Sequence, residues 1–75
     1  MPSYSRFALE NATTTIFVRR LERLIRLRRD RHDDLNSLGV ELLNRSIYTT
    51  YRDCVDFGAG THARLLMLQA GLNVR

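Results

Sequence analysis

A chain of 75 residues, of which 44% are hydrophobic and 27% charged, has the composition of one small globular domain and excludes a wholly disordered chain. Its single cysteine, Cys54, excludes an internal disulfide and a cysteine-based metal site, which is typical of an intracellular protein. No apolar run is longer than residues 65–68, so we expect neither a transmembrane segment nor a signal peptide.

The net charge of +4 comes from one arginine-rich segment. Residues 19–31 contain seven arginines against Glu22 and Asp30, a local charge of +5, whereas the rest of the chain has five arginines against six acids, a charge of −1. Such a cluster can attract the phosphates of a nucleic acid, anionic lipids or the acidic side chains of a protein. The charge alone does not decide among these three kinds of partner.

Residues 1–12 contain Pro2 and small polar side chains around a few apolar ones, which predicts a flexible arm or a short helix. The run Thr13–Thr15 suits the start of a helix, because a threonine hydroxyl can accept a hydrogen bond from an unsatisfied backbone N–H. The sequence therefore predicts a first long helix over residues 16–31.

The predicted first helix has an apolar side and a basic side. Its apolar stripe, about 120° wide, consists of Phe17, Val18, Leu21, Leu24 and Ile25. The arginines on the opposite side are Arg19, Arg20, Arg23, Arg26 and Arg31. Arg28 projects into the apolar stripe, where an unpaired guanidinium is costly. We expect the helix to end before Arg28, or a carboxylate to meet it: Asp53 or Asp56 of the second helix, or an acid of a partner.

A turn is predicted near residues 32–36, where His32–Asp34 and Asn36–Ser37 both offer N-cap side chains for a second helix. The alternative is one continuous helix with a coiled-coil seam, which Arg28 and Arg31 would interrupt. The turn is the preferred prediction because two charges would lie in that seam.

A second helix is predicted over residues 37–57 from apolar residues at spacings of three and four: Val40, Leu43, Ile47, Tyr51 and Cys54. The stripe is widened at its beginning by Leu35, Leu38 and Leu42. Gly58 can take the left-handed conformation that ends a helix, and Thr61 can cap a third helix over residues 61–70, which Gly71 ends. The predicted fold is all-α: one small domain with a helical hairpin of two long helices and a short C-terminal helix.

Four short patterns could carry chemistry, and each has a simpler structural interpretation. Residues 56–58 spell the DFG triplet of protein kinases, but the chain has no lysine, and residues 58–61 lack the P-loop pattern. Adjacent ligands in a turn cannot converge on one metal ion, which argues against a site at Asp30, His32, Asp33 and Asp34. Cys54 is predicted to be a small buried hydrophobe and not a nucleophile activated by His62. We therefore expect no enzyme, metal site, cofactor or small-molecule substrate.

The amphipathic first helix predicts protein binding. Burying its apolar stripe gains on the order of 10 kcal/mol, while ordering about sixteen residues costs about 1 to 2 kcal/mol for each, so the helix needs a neighbour. The second helix has more apolar surface than one neighbour can cover. We expect a non-enzymatic subunit or adaptor that binds a larger protein, or itself, through an apolar helix face with an arginine rim. The predicted partner-binding residues are Phe17, Leu21, Leu24, Ile25, Arg28, Leu42, Ile47 and Tyr51.

The alternative function is nucleic-acid binding, in which phosphates contact Arg19, Arg20, Arg23, Arg26 and Arg31. Membrane adsorption would draw the apolar stripe out of the core, and Glu10 and Glu22 depart from the acid-free pattern of mitochondrial import signals. We expect a location in the cytoplasm or nucleus, with the mitochondrion as the alternative.

Overall fold

The computed structural model describes the backbone of residues 2–74 and the side chains of residues 12–74. Its helices, in chain order, are α1 (Pro2–Arg31), α2 (Ser37–Asp56) and α3 (Gly60–Gln69), and a short 3-10 turn, His32–Asp34, follows α1. The described backbone contains no strand. The predicted all-α class, a hairpin of two long helices with a short third helix, is therefore confirmed.

The start of α1 differs from the prediction, because the helix begins at Pro2 and not at Ile16. The segment predicted to be a flexible arm or a short helix is helical from Pro2 onward and continuous with α1, and Met1 lies outside the described residues. Proline is tolerated in the first turn of a helix, and no glycine or further proline interrupts α1. Thr14 lies inside the helix, where its hydroxyl donates to the Phe57 carbonyl oxygen at 3.1 Å.

The predicted turn separates α1 from α2, so the alternative of one continuous helix is wrong. After the 3-10 turn, Leu35 has φ −93° and ψ 138°, and Asn36 has φ −77° and ψ 176°. These extended conformations cannot continue an α-helix. The Asn36 side chain accepts a hydrogen bond from the Gly39 backbone N–H at 2.7 Å, which confirms the N-cap at this position.

α2 ends in a Schellman motif, in which Gly58 adopts the left-handed conformation with φ +90°. The Gly58 N–H donates to the Val55 carbonyl oxygen at 3.1 Å. The Ala59 N–H donates to the Cys54 carbonyl oxygen at 2.8 Å. α3 ends in the same way at Gly71, whose φ is +74°. Both predicted glycine stops are therefore confirmed.

The start of α3 is one residue earlier than predicted, at Gly60, and the predicted Thr61 cap is wrong. The capping position is Ala59, whose side chain makes no hydrogen bond. Its backbone carbonyl accepts from the Ala63 N–H at 2.9 Å, so the first turn of α3 is built directly on the motif that ends α2.

α1 and α2 are antiparallel, as two contacts far apart on the hairpin show. Near the turn, Arg28 Nε donates to Asn44 Oδ1 at 2.9 Å. At the other end, the rings of Phe17 and Phe57 stack with centroids 5.1 Å apart. Residue numbers fall along α1 as they rise along α2, so the two helices lie side by side for at least about 16 Å.

The core lies between the three helices and the segment that follows α3. Its largest fully buried side chains include Leu21 of α1, Ile47 of α2 and Met67 of α3, each with 0% exposure. Burial of a side chain of this size stabilises the fold by about 1.5 to 3 kcal/mol. Met67 and Leu72, from α3 and the segment after it, add to the stripes predicted for the first two helices.

Candidate functional site

The predicted partner-binding residues divide into buried, half-buried and exposed ones. Leu21 and Ile47 are fully buried, so a partner cannot contact them while the fold is intact. Arg28 is half-buried, and Leu42, which is 50% exposed, is the one apolar member of the set with an exposed side chain. The members that are half-buried and pack against the core are Phe17, Leu24, Ile25 and Tyr51.

Arg28 lies in the apolar stripe as predicted, but α1 does not end before it and the predicted contact with Asp53 or Asp56 is wrong; the acid of a partner stays a prediction. α1 continues beyond it to Arg31, and its Nε donates to Asn44 Oδ1 and not to Asp53 or Asp56. In the antiparallel register Asn44 lies opposite Arg28, whereas both aspartates lie more than two turns further along α2. The amide accepts a hydrogen bond but carries no charge. Among the described side chains, the guanidinium of Arg28 is therefore oriented but not neutralised.

Four of the five arginines predicted to bind nucleic acid form an exposed arginine face on α1: Arg19, Arg20, Arg23 and Arg26. None of these four has an ion pair with a carboxylate of residues 12–74. Three of them, at relative positions i, i+4 and i+7, follow one face of the helix. The fifth predicted arginine, Arg31, lies 3.5 Å from Asp34 and is not part of this face.

Five leucines lie in the last turns of α1, in the following turn and in the first two turns of α2, and we call them the leucine surface: Leu27, Leu35, Leu38, Leu42 and Leu43. Leu38 and Leu42 are one turn apart on α2 and are 61% and 50% exposed. Leu27, which is 46% exposed, lines a shallow cleft of about 360 Å³ together with the half-buried Leu35 and Leu43. Arg31 and Asp34 line the same cleft, so charged side chains border this apolar surface.

A larger cleft of about 720 Å³ lies between the C-terminal half of α1 and the end of α3, and we call it the basic cleft. Its apolar lining consists of Ile25 from α1 with Leu66 and Ala70 from the α3 side, all half-buried. Three arginines of α1 also line it: Arg26, Arg28 and Arg29. The remaining lining residues are Glu22, His32, Asp33 and Gln69. The cleft thus combines an apolar wall with a group of guanidinium donors.

Cys54 is fully buried, which confirms the prediction of a small buried hydrophobe. Burial raises the pKa of its thiol above the ordinary value of 9.0, and the nearby Asp53 carboxylate raises it further. The thiol is therefore neutral at physiological pH. Among the described side chains, no group of three or more His, Cys, Asp or Glu residues could hold a metal ion. No helix within the described residues has the length and apolar character needed to cross a membrane.

Leu27 and the three lining residues at the end of α3 were not predicted as site residues. Leu27 lies between arginines in the sequence, and no stripe of apolar neighbours marks it. Leu66, Gln69 and Ala70 line the cleft because of the direction in which α3 leaves the turn at Gly58. No local spacing encodes that direction, so no sequence signal could have placed them beside α1.

No protein-family model, curated protein or solved structure matches this chain. The arginine face, the leucine surface and the basic cleft are therefore the features that bear on its function.

Proposed function

We propose that the protein is a non-enzymatic assembly subunit or adaptor, which binds a larger protein or a second copy of itself through the leucine surface. The observation that carries this proposal is the exposure of Leu38 and Leu42, at 61% and 50%, on adjacent turns of α2. Two leucines exposed on one face stabilise the single chain little, whereas clustered exposed apolar side chains are typical of protein contact sites.

The charges around the leucine surface suit the border of an interface. Arg31 is paired with Asp34 at 3.5 Å, and Arg45 with Glu41 at 3.9 Å, and all four side chains are more than half exposed. Exposed pairs of this kind add little to stability. At an interface they set orientation and association rate more than affinity, while the leucines supply the buried area.

The test is a pair of matched double variants. Leu38→Ser with Leu42→Ser removes the two most exposed leucines of the leucine surface, and Leu65→Ser with Leu68→Ser removes two leucines of α3 that are 53% and 51% exposed. We expect the first variant alone to lose binding, because the two variants remove similar exposed apolar area at different places. Light scattering over a range of concentrations measures self-association, and quantitative affinity capture measures binding to a larger protein.

Either form of the proposal can fail in this experiment. Equal loss of association in the two double variants would show that exposed leucine in general, and not the leucine surface, drives it. A wild-type chain that stays monomeric and retains no protein partner would overturn the proposal entirely. Circular dichroism of each variant shows whether the helices are retained.

Nucleic-acid binding is the second candidate, and the unpaired arginine face favours it. Replacing Arg19 and Arg23 with glutamine should then weaken the binding of an oligonucleotide and reduce its salt dependence, while helicity is retained. Fluorescence anisotropy across a salt series measures both effects. Oligonucleotide binding that does not change in this variant would remove the second candidate.

A further inference from the structure

We propose that the basic cleft binds an acidic amphipathic helix of a partner protein. This site is separate from the leucine surface, so either proposal can hold without the other. The cleft has two properties that such a helix would match. Two of its arginines, Arg26 and Arg28, have no ion pair with a carboxylate of the described residues, whereas Arg29 is paired with Asp30 at 3.0 Å. Its apolar lining consists of Ile25, Leu66 and Ala70.

Arg28 is held in place by its hydrogen bond to Asn44 at 2.9 Å. This contact uses Nε and leaves the terminal nitrogens, and the full positive charge, available to a carboxylate of the partner. Arg26, on the same cleft, has no ion pair with a carboxylate of the described residues. A carboxylate of the partner beside Arg28, and another beside Arg26, would neutralise charge that the described fold leaves unpaired.

The apolar lining of the cleft comes from α1 and from the end of α3. Ile25 from α1 faces the same cleft as Leu66 and Ala70, and all three are half-buried. From Ile25 to His32 the cleft follows α1 for about 10 Å, which is the length of two helical turns. Apolar residues at positions i, i+3, i+4 and i+7 of a partner helix would cover this length, as in other helix-in-groove complexes.

The carboxylates in the lining favour a helix over a nucleic acid as the partner that binds the cleft. Glu22 and Asp33 line the cleft, and a strand that carries a charge on every phosphate cannot avoid them. A helix can present carboxylates to Arg26 and Arg28 and uncharged residues beside Glu22 and Asp33. The apolar lining would also gain nothing from a phosphate backbone. A nucleic acid would instead contact the outer arginine face.

The experiment uses the full chain and a fluorescein-labelled helical peptide with leucines at i, i+3, i+4 and i+7 and glutamates on the adjoining positions. Its matched control is the same peptide with glutamine in place of glutamate. Fluorescence anisotropy measures the two Kd values. We expect the glutamate peptide to bind at least about tenfold more tightly, because its carboxylates make charge-assisted hydrogen bonds.

Matched protein variants locate the site. Arg28→Gln should raise the Kd of the glutamate peptide about tenfold, whereas Arg19→Gln removes the same charge from the arginine face and should leave the Kd unchanged. Leu66→Ser, in the cleft lining, should weaken binding more than Leu65→Ser, which removes a neighbouring leucine outside the cleft. Circular dichroism confirms that each variant is folded, and Leu66→Ser leaves the charges unaltered.

Three results would overturn this proposal. The first is no binding of the glutamate peptide up to about 1 mM, a concentration at which even weak association is detected. The second is an equal loss of affinity in Arg28→Gln and Arg19→Gln, which would indicate unspecific attraction to the whole basic helix. The third is a labelled oligonucleotide that binds more tightly than the peptide and depends on Arg28, which would assign the cleft to nucleic acid.

Discussion

The two neighbours of α1 cover it unequally. α2, with 20 residues, accompanies α1 from the stacked rings of Phe17 and Phe57 to the hydrogen bond between Arg28 and Asn44. α3 has 10 residues and is about 15 Å long, so α1 and α3 meet over a shorter length and leave the basic cleft beside them. One amphipathic stripe can therefore form a buried core against a long helix and leave an open cleft beside a shorter one.

The largest loss of stability should come from a change at Leu21, a fully buried core residue of α1. Leu21 is fully buried, so Leu21→Asp places a carboxylate in the core, at a cost of several kcal/mol against a typical total stability of about 5 to 15 kcal/mol. We expect loss of the cooperative unfolding transition and of most helical circular dichroism. Leu65→Asp, at a side chain that is 53% exposed, is the control and should remain folded. A folded Leu21→Asp variant would show that the core lies elsewhere.

The stability of the packing between α1 and α2 should depend on the volume of the buried side chains. Ile47 has 0% exposure, and Ile47→Ala should lower the free energy of unfolding by about 2 to 5 kcal/mol, because it leaves a cavity. Leu68→Ala removes a similar volume from a side chain that is 51% exposed, and it should change the value by less than about 0.5 kcal/mol. Urea titration measures both. Similar losses of unfolding free energy in the two variants would contradict the difference in burial between Ile47 and Leu68.

The hydrogen bond between Arg28 and Asn44 can be tested by a substitution at Asn44. Asn44→Ala removes the acceptor for Arg28 Nε and should lower the free energy of unfolding by about 1 kcal/mol, since water can partly replace the amide at this half-buried position. Glu41→Ala breaks the exposed pair with Arg45 at 3.9 Å and should cost less than about 0.5 kcal/mol. An Asn44→Ala variant as stable as the wild type would mean that the hydrogen bond does not hold the arginine in place.

The smallest expected effect is a dependence on alkaline pH. Burial raises the pKa of the Cys54 thiol in the folded state above its ordinary value of 9.0. The stability from the neutral buried thiol is therefore fully present below pH 9.0 and is lost as the pH rises through the folded-state pKa. Urea titrations at neutral pH and above pH 9.0 should show a larger decline in the wild type than in Cys54→Ala. Equal declines would assign the effect to other groups.

The sequence was informative where local spacing determines structure. The buried positions Ile47 and Cys54 of α2 follow the predicted spacing, and Asn36 and Gly58 act as predicted because a cap depends on a few neighbouring backbone groups. The start of α1 could not be predicted in this way. Thr14 has the right side chain for a cap, yet its hydroxyl bonds to Phe57, which only the tertiary fold brings near.

The candidate sites likewise depend on contacts between helices, which local spacing does not determine. That Arg28 needed a partner followed from its place in the apolar stripe, but the identity of that partner depends on the register between α1 and α2. The two conformations at Leu35 and Asn36 set this register and place Asn44, not an aspartate, opposite the guanidinium. The basic cleft depends in addition on the path of α3, so Ile25, Arg26 and Arg28 of α1 could be singled out from sequence and the α3 residues could not.

The hydrogen bond between Thr14 and Phe57 joins residues 43 positions apart, whereas Arg28 and Asn44 are 16 apart. Closing the longer loop costs about 0.9 kcal/mol more in chain entropy, so the hairpin should close from its turn and fray first at the Phe57 end. α3 begins three residues after Phe57, and fraying there also releases α3 from α1. We therefore expect faster amide hydrogen exchange in α3 than at the closed end, and a basic cleft that is dismantled and rebuilt each time this end of the hairpin opens.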